Sequence, residues 1–356
     1  MKKNSILKIQ ANLTDDAYIF TNKKNIHYLT EVDNLEGNLL ITKKDVIFFT
    51  DFRYFEEACN ELAIDVVDFV GKKLECINRY LKKLCIKKVY FEKDITYIQA
   101  ILNKKFFEAK GIEYEMASNL IEKLREVKND KEIELIRKSA DINNTIFENV
   151  LAEIKLGVTE KELKYFLENR IRELGGEGSS FDLIVIFDKK SSMPHGVSGD
   201  EPLKNNVPIL IDIGVNYKGY ASDMTRTIFF GTPEKEFLEI YELVKDVQKQ
   251  ALEMVRPGAR VKDIDQRVKD FLALKGFNLG HSTGHGVGLD IHEAPFINVN
   301  NDDILEENMV ITIEPGIYMP NKYGIRIEDL VLVTKDGYEI LSNIDKKLII
   351  IARGEY

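Results

Sequence analysis

Cysteine is scarce in this sequence, and the few cysteines present form no recognisable motif. Cys59, Cys76 and Cys85 show no Cys-x-x-Cys spacing, and three thiols cannot all pair with one another. We interpret them as free thiols of a reducing compartment, and we therefore expect a cytoplasmic protein.

Long apolar runs and an excess of positive charge are also missing. The basic start of the chain leads into no apolar segment, because Lys8, Gln10 and Asn12 interrupt it. We therefore expect neither a signal peptide nor a membrane partner. The net charge of −9 at pH 7 argues against nucleic acid as a partner.

The length and the pattern of the chain predict two domains. A chain of 356 residues exceeds one average domain, and 44% hydrophobic residues allow a sizeable core. Strand-like apolar runs alternate with helical spacing in the first part, at residues 39–41, 46–49, 89–91, 52–62 and 74–84. A charged stretch, residues 122–134, opens a long helical pattern that runs to about residue 154. We place the domains at residues 1–118 and 119–356.

The second part of the chain contains an internal duplication. One predicted helix follows Gly157 and opens with the capping-box residues Thr159 and Glu162, and a second follows Gly258. At an offset of 101 residues the matching pairs include Lys161/Lys262, Leu163/Ile264, Leu167/Val268 and Gly175/Gly276. Each helix precedes strand-like segments that carry acidic residues among apolar ones.

Two aspartates lie in apolar, strand-like segments of the first repeat. Asp212 and Asp223 flank a stretch with hairpin composition, residues 216–219. If the turn is centred between Tyr217 and Lys218, the aspartates face each other with Cβ atoms roughly 5 Å apart. Two buried carboxylates this close repel each other and lose hydration, and a shared cation removes both costs. A single protonated or hydrogen-bonded aspartate is the alternative for this hairpin taken alone.

The second repeat places two glutamates in a similar way. Glu314 follows the apolar run 309–313, and Glu328 lies in a strand-like segment beside Arg326. Taken alone, this hairpin is also explained by an ion pair between Arg326 and Glu328 at a strand edge. The duplication brings the two hairpins to one centre, where four carboxylates suit two divalent cations better than one.

Histidines cluster in the same region of the sequence. Four of the five lie between residues 195 and 292, and His281, His285 and His292 fall within twelve positions. The glycines around His285 make a helix unfavourable, so the spacing of His281 and His285 is not that of an HExxH motif. We expect a loop or strand that presents one metal ligand and leaves the other histidines for substrate.

These segments resemble the pita-bread metallopeptidases, in the branch of Xaa-Pro aminopeptidases and prolidases. The matching segments are Ser192-Met193-Pro194-His195, Asp212-Ile213-Gly214, residues 219–227, Thr283-Gly284-His285-Gly286, Glu314-Pro315-Gly316 and Arg326-Ile327-Glu328-Asp329. Residues 25–30 and 50–54 are similar to the creatinase-like N-terminal domain of the same enzymes, although Glu31 stands where that family usually has glycine. The implied fold class is α/β (α+β), a creatinase-like domain followed by a pita-bread domain with a pseudo-two-fold internal repeat.

The resemblance also implies roles for individual residues. Asp212 would bind one metal ion and His285 the other, while Asp223, Glu314 and Glu328 complete the pair. Glu314 would in addition steer the proton of the attacking water.

Other residues would act on the substrate or its surroundings. His292 would hydrogen-bond to the oxyanion or the scissile amide, His195 and His281 would line the proline pocket, and Arg326 would orient the bridging carboxylates or Tyr318. Asp290 and Glu293 are expected to be solvated acids without a catalytic part.

The implied activity is hydrolysis of the bond before proline. We expect an Xaa-Pro aminopeptidase that releases the N-terminal residue of Xaa-Pro peptides, with an Xaa-Pro dipeptidase (prolidase) as the alternative. A non-catalytic peptide-binding module is a more remote alternative. The expected cofactors are two divalent metal ions, Mn²⁺ by the carboxylate-rich ligand set, with Co²⁺ or Zn²⁺ also able to bind. A homodimer is implied by the resemblance alone.

Overall fold

The computed structural model describes residues 1–117 and 119–352. They form two compact units, one from Met1 to Arg125 and one that begins at Glu126. The predicted α/β organisation in two parts is confirmed, while the boundary at residues 118 and 119 stays a prediction. No helix in the described ranges is long and apolar enough to cross a membrane.

The first unit is a mixed sheet flanked by helices. Its helices are α1 Lys3–Ala11, α2 Lys23–Thr30, α3 Phe52–Glu61, α4 Lys73–Lys83 and α5 Tyr97–Ala109. Its strands are β1 Asp16–Phe20, β2 Asn38–Thr42, β3 Val46–Thr50, β4 Asp65–Asp68, β5 Lys88–Phe91 and β6 Glu113–Met116, in the order β4-β3-β2-β1-β5-β6. Every residue of β2 is buried, which explains its unbroken apolar run in place of an alternating pattern.

Glu31 occupies a position where glycine is favoured. It follows the last residue of α2 and has a left-handed backbone, with φ of 61°. Helices commonly end on a residue in this conformation, and glycine adopts it without steric cost. The departure from glycine therefore lies at the end of a helix in the first unit, where the Glu31 carboxylate also accepts a hydrogen bond from the N-terminal ammonium group of Met1 at 2.9 Å.

The long helix predicted from residue 122 is two helices, α6 Leu120–Glu126 and α7 Asp130–Leu151. Asn129 starts the second helix, because its side chain accepts the N–H of Glu132 and the Glu132 carboxylate accepts the N–H of Asn129. Val127, in the break, pairs with Met309 as an isolated β-bridge. An extended segment therefore interrupts the helix that charge and periodicity predicted, and the capping box at Asn129 starts a new helix after it.

The second unit contains the internal repeat. Its remaining helices are α8 Glu160–Glu173, α9 Lys235–Leu252 and α10 Val261–Leu274, with a short 3₁₀ helix at Asp188–Ser192. The strands of the first repeat are β7 Gly178–Ser179, β8 Ile184–Phe187, β9 Val207–Ile213, β10 Val215–Tyr217, β11 Tyr220–Ala221 and β12 Met224–Phe230. Those that follow are β13 Gly284–Gly286, β14 Glu293–Ile297, β15 Val310–Ile313, β16 Gly316–Met319, β17 Tyr323–Arg326, β18 Asp329–Thr334, β19 Gly337–Ile340 and β20 Ile350–Ile351. They form sheets in the orders β11-β10-β7, β20-β12-β9-β8, β14-β13-β15-β18-β19 and β16-β17.

Equivalent hydrogen bonds mark the two repeats. The N–H of Gly157 donates to the carbonyl of Leu203, and the N–H of Gly258 donates to the carbonyl of Leu305. Further equivalent pairs are Lys161–Asp200 with Lys262–Asp302, and the bridges Thr159–Pro202 with Arg260–Ile304. One core packs α7 and α8 against β8, β9 and β12, and the other packs α9 and α10 against β15 and β18.

Candidate metal centre

The hairpin of the first repeat turns one residue later than predicted. Lys218 and Gly219 both have positive φ, 48° and 79°, as the two-residue turns that suit hairpins require. Asp212 therefore pairs with Thr225 in the β9–β12 register, and the prediction that it faces Asp223 is wrong. Asp223 lies between β11 and β12, and it still lines the same cavity as Asp212.

The second hairpin places its two glutamates opposite each other. Ile313 pairs with Asp329 and Gly316 pairs with Arg326, so both strand pairs follow one register. Glu314 and Glu328 occupy the facing positions between these strand pairs. The interruption of the strands at this point lets both carboxylates reach the cavity.

His285 lies at the centre of the short strand β13, which confirms the strand or loop predicted here. A Cβ on Gly284 would lie 1.9 Å from the Thr312 carbonyl oxygen, and one on Gly286 would lie 2.3 Å from the Ala294 carbonyl oxygen. Both glycines are therefore required for β13 to fit between its neighbours. This close packing fixes the backbone from which the His285 ring projects.

One cavity of about 480 Å³ brings together every residue predicted for the site. These residues are His195, Asp212, Asp223, His281, His285, His292, Glu314, Arg326 and Glu328. Apolar side chains, among them Phe181, Val197 and Phe296, also line the cavity. The roles of the nine residues stay predictions, but their convergence on one cavity is a feature of the fold.

The ring of His285 presents a lone pair to two carboxylates. Its Nδ1 lies 3.1 Å from the Gly286 carbonyl oxygen, an acceptor, so Nδ1 carries the hydrogen in the neutral ring. Burial, with His292 nearby, lowers the pKa of His285 to about 4, so the ring is neutral at pH 7. Its Nε2 then faces Asp223 Oδ2 at 3.6 Å and Glu314 Oε1 at 3.5 Å.

This arrangement of electron-pair donors fits a cation. Asp223, His285 and Glu328 each offer a ligand atom, and these atoms lie within 4.8 Å of one another. Asp212 Oδ1 is buried and accepts no hydrogen bond from the described residues. Imidazole nitrogen and carboxylate oxygen are ligands of Mn²⁺, Co²⁺ and Zn²⁺.

The buried carboxyl groups repel one another when they are all ionised. Burial raises the pKa of Asp223 and of Glu328, and the neighbouring carboxylates raise both further. Burial also raises the pKa of Glu314 to about 7, although Arg326 opposes the shift. A divalent cation offsets this repulsion, and in its absence protons do so.

Arg326 orients the acids and Tyr318 together. Its Nη2 donates to Asp212 Oδ2, and its Nη1 donates to the Tyr318 hydroxyl at 2.9 Å. Its Nε donates to Thr225 Oγ1 at 3.0 Å, and that hydroxyl donates to Glu328 Oε2 at 2.7 Å. Sequence reasoning assigned no role to Thr225, and only the strand register, which pairs Thr225 with Asp212, brings it to the site.

Two further neutral histidines, His281 and His292, lie on the cavity wall. Burial lowers the pKa of His281 to about 4, and its Nε2 lies 3.2 Å from the Tyr318 hydroxyl. Burial also lowers the pKa of His292, whose ring packs edge-on against the His285 ring at 4.4 Å between centroids. His195 lines the cavity beside Pro194.

The expectation that Glu293 is a solvated acid is wrong. Its side chain is 10% exposed and lies 2.8 Å from Lys128 Nζ, which is itself buried. The partner stands 165 positions earlier in the chain. No local sequence pattern reports a contact over such a distance.

Comparisons with known proteins agree with this geometry. The model of metallopeptidase family M24 matches residues 134–335, and that of the creatinase/prolidase N-terminal domain matches residues 4–127. An Xaa-Pro dipeptidase of Pyrococcus horikoshii is 34% identical, over 98% of this chain and 96% of its own. Among solved structures, an Xaa-Pro dipeptidase from Bacillus anthracis is 37% identical with a TM-score of 0.94, covering 98% of this chain and 99% of its own. An X-Pro aminopeptidase from Thermotoga maritima is 30% identical with a TM-score of 0.89, covering 97% and 100%.

Proposed function

The chain belongs to metallopeptidase family M24, and from this premise we propose that it is an Xaa-Pro dipeptidase that uses two divalent cations. The family predicted from the sequence, with its creatinase-like N-terminal domain, is confirmed. The chain is accordingly a hydrolase of the Xaa-Pro peptidase type, and its family implies divalent metal ions. Aminopeptidase activity, the first expectation, is not confirmed, and the dipeptidase alternative has the better support among relatives.

The observation that carries the proposal is the lone pair of His285 Nε2 directed at two carboxylates. In this proposal Asp212, Asp223, His285, Glu314 and Glu328 hold the cations. Mn²⁺ is the proposed ion, because the donors are mostly carboxylate oxygens with a single imidazole.

Bound cations would lower the pKa of a water molecule and polarise the scissile carbonyl. In this proposal the side chains of the cavity transfer the proton and stabilise the intermediate. Glu314 accepts the proton of the attacking water and returns it to the leaving proline nitrogen. His292, neutral at pH 7, donates a hydrogen bond to the oxygen of the tetrahedral intermediate.

Binding of proline is assigned to the histidine side of the cavity. His195 and His281 line this wall, and the Tyr318 hydroxyl fixes His281 while accepting from Arg326. Because Arg326 also binds Asp212, the substrate pocket and the ligand set share one rigid support.

A comparison of two substrates tests the activity. The Mn²⁺-loaded protein is assayed with the dipeptide Ala-Pro and the tripeptide Ala-Pro-Ala, with Ala-Ala as a control. We expect kcat/KM for Ala-Pro to exceed that for Ala-Pro-Ala by at least about 10-fold, since a dipeptidase pocket that closes beyond proline leaves no room for a third residue. Equal or faster cleavage of Ala-Pro-Ala would instead establish the aminopeptidase. Binding of Mn²⁺ without cleavage of either peptide would leave only the binding module.

A further inference from the structure

A buried ion pair joins the start of the second unit to the segment that carries the histidines. Lys128 Nζ lies 2.8 Å from Glu293 Oε1, and the two side chains are 1% and 10% exposed. The same Nζ donates to the Glu126 carbonyl at 3.1 Å, and the Lys128 N–H donates to the Asn308 carbonyl at 3.0 Å. Lys128 is therefore held at both its backbone and its side chain.

Glu293 connects the ion pair with Lys128 to the loop of residues 287–292. Its Oε2 lies 3.4 Å from the N–H of Asp290, and its carboxylate fills the space beside Gly288, where a Cβ would lie 2.3 Å from Oε1. The backbone of Glu293 pairs with Gly286 in the β13–β14 ladder. The side chain of Glu293 thus supports the loop, while the backbone of Glu293 pairs with the strand that carries His285.

The opening turn of α7 supports the loop from a second side. Glu132 Oε1 accepts the hydroxyl of Tyr220 at 2.9 Å, and the N–H of the next residue, Ala221, donates to the Gly288 carbonyl at 2.8 Å. Lys128, through Glu293, and Glu132, through Tyr220, therefore both support the loop whose last residue is His292.

Stability alone does not account for this pair. A buried ion pair loses hydration on both partners, and replacing one by apolar residues of similar volume is often neutral or stabilising. Groups that hold metal ligands from behind fix the orientation of those ligands, and their loss typically lowers metal affinity or activity by about 10–100-fold. We expect an effect of this order where a partner holds the loop of His292. The geometry fits this second account, because the Glu293 carboxylate contacts the loop at Gly288 and Asp290, and that loop ends at His292.

We propose that Lys128 is a positioning residue, which holds Glu293 so that the ring of His292 packs against His285 and faces the cavity. The kinetic consequence rests on the proposed peptidase function, whereas the effect on the histidine rings does not. Lys128 touches no reacting atom in this account and acts through Glu293.

Kinetics of matched variants give the first test. K128M should lower kcat for Ala-Pro by about 10–100-fold and leave KM within about 3-fold, while K128R should recover part of the loss. R137M is the control, since it removes a half-exposed ion pair to Glu339 from the same helix, and it should leave both constants unchanged. The double variant K128M/E293Q should regain thermal stability without regaining kcat. Recovery of kcat together with stability would overturn the proposal.

Histidine ring resonances of the metal-free protein give a test that needs no catalysis. The chain has only five histidines, so their signals can be assigned with single substitutions. K128M should move the signals of His285 and His292 and leave that of His27 in place, and R137M should move none of them. If K128M does not fold, K128M/E293Q, which removes both charges together, is measured instead. Unmoved His292 signals with kcat within about 2-fold of wild type would overturn the proposal, and ring shifts in a protein without Xaa-Pro hydrolysis would overturn only the proposed function.

Discussion

Asp223 is the residue at which the ligand hypothesis is most exposed to test. Its carboxylate lies close to His285 and Glu328, and burial raises its pKa. Asp223→Asn keeps the shape of the side chain but removes its charge, so Mn²⁺ affinity and kcat/KM for Ala-Pro should each fall at least about 100-fold. The metal-free protein should unfold no more easily than wild type, because the substitution removes repulsion.

The measurements are calorimetric metal titration, steady-state kinetics and thermal unfolding. Asp200→Asn is the matched control, since Asp200 pairs with Lys161 at the surface. Wild-type metal affinity and turnover in Asp223→Asn would remove Asp223 from the ligand set.

Residue types were predictable here because catalytic chemistry restricts them. Acids in apolar strands and histidines among glycines stand out in any sequence, and all of them reached one cavity. Lys128 and Glu293 could not be identified in this way. An isolated lysine or glutamate is usually solvated, and only the fold shows that these two are buried against each other.

At the level of elements, β12 and β18 are joined by a buried polar network. Arg226 Nη2 donates to Asp329 Oδ1 at 2.7 Å and to the Ile344 carbonyl at 2.7 Å. Asp329 Oδ2 in turn accepts from Gln248 at 2.9 Å and from Lys346 at 2.7 Å. Arg226 directly follows Thr225 in sequence, and Asp329 directly follows Glu328. The network therefore fixes the strands that present Thr225 and Glu328.

Arg226→Met should therefore destabilise the metal-free protein by about 3 kcal/mol, since it leaves part of a buried charge without its partner. The check is chemical denaturation in the presence of chelator, which keeps metal binding out of the comparison. Arg226→Met/Asp329→Asn should cost less than the sum of the single changes. Additive costs, or a single change below about 1 kcal/mol, would mean that the two strands do not depend on this pair.

Sequence patterns predicted elements better than their exact pairing. The strands β2, β3 and β5 and the helices α3 and α4 lie where apolar spacing placed them. The register of the first hairpin differs from the prediction, because composition alone does not locate the turn at Lys218 and Gly219. The break before α7 depends on a capping box at Asn129, which competes with helical periodicity.

For the whole molecule, the metal-free state should lose stability as pH rises. Burial raises the pKa of Glu314 from its ordinary 4.5 to about 7. A carboxyl group whose pKa is raised on folding contributes stability that is complete below its ordinary pKa and is lost as pH rises through the folded value. The contribution of Glu314 should thus fade between pH 4.5 and about 7, by on the order of 3 kcal/mol.

Thermal unfolding of wild type and Glu314→Gln in chelator, from pH 5 to 8, isolates this contribution. The variant should gain stability relative to wild type across that range. With saturating Mn²⁺ the wild type should instead gain stability as pH rises, because the cation binds the deprotonated ligands. A difference between the two metal-free proteins that does not change with pH would contradict the prediction.

The homodimer and the cytoplasmic location stay predictions.

Removal and return of the metal tests the central claim most directly. Protein stripped with chelator should cleave Ala-Pro at less than about 1% of the loaded rate, because the carboxylates and histidines of the cavity alone cannot activate water to the same degree. Activity should return with added Mn²⁺ and level off at two equivalents per chain, in step with calorimetric binding. Full turnover by the stripped protein, or no binding of Mn²⁺, Co²⁺ or Zn²⁺, would contradict the account.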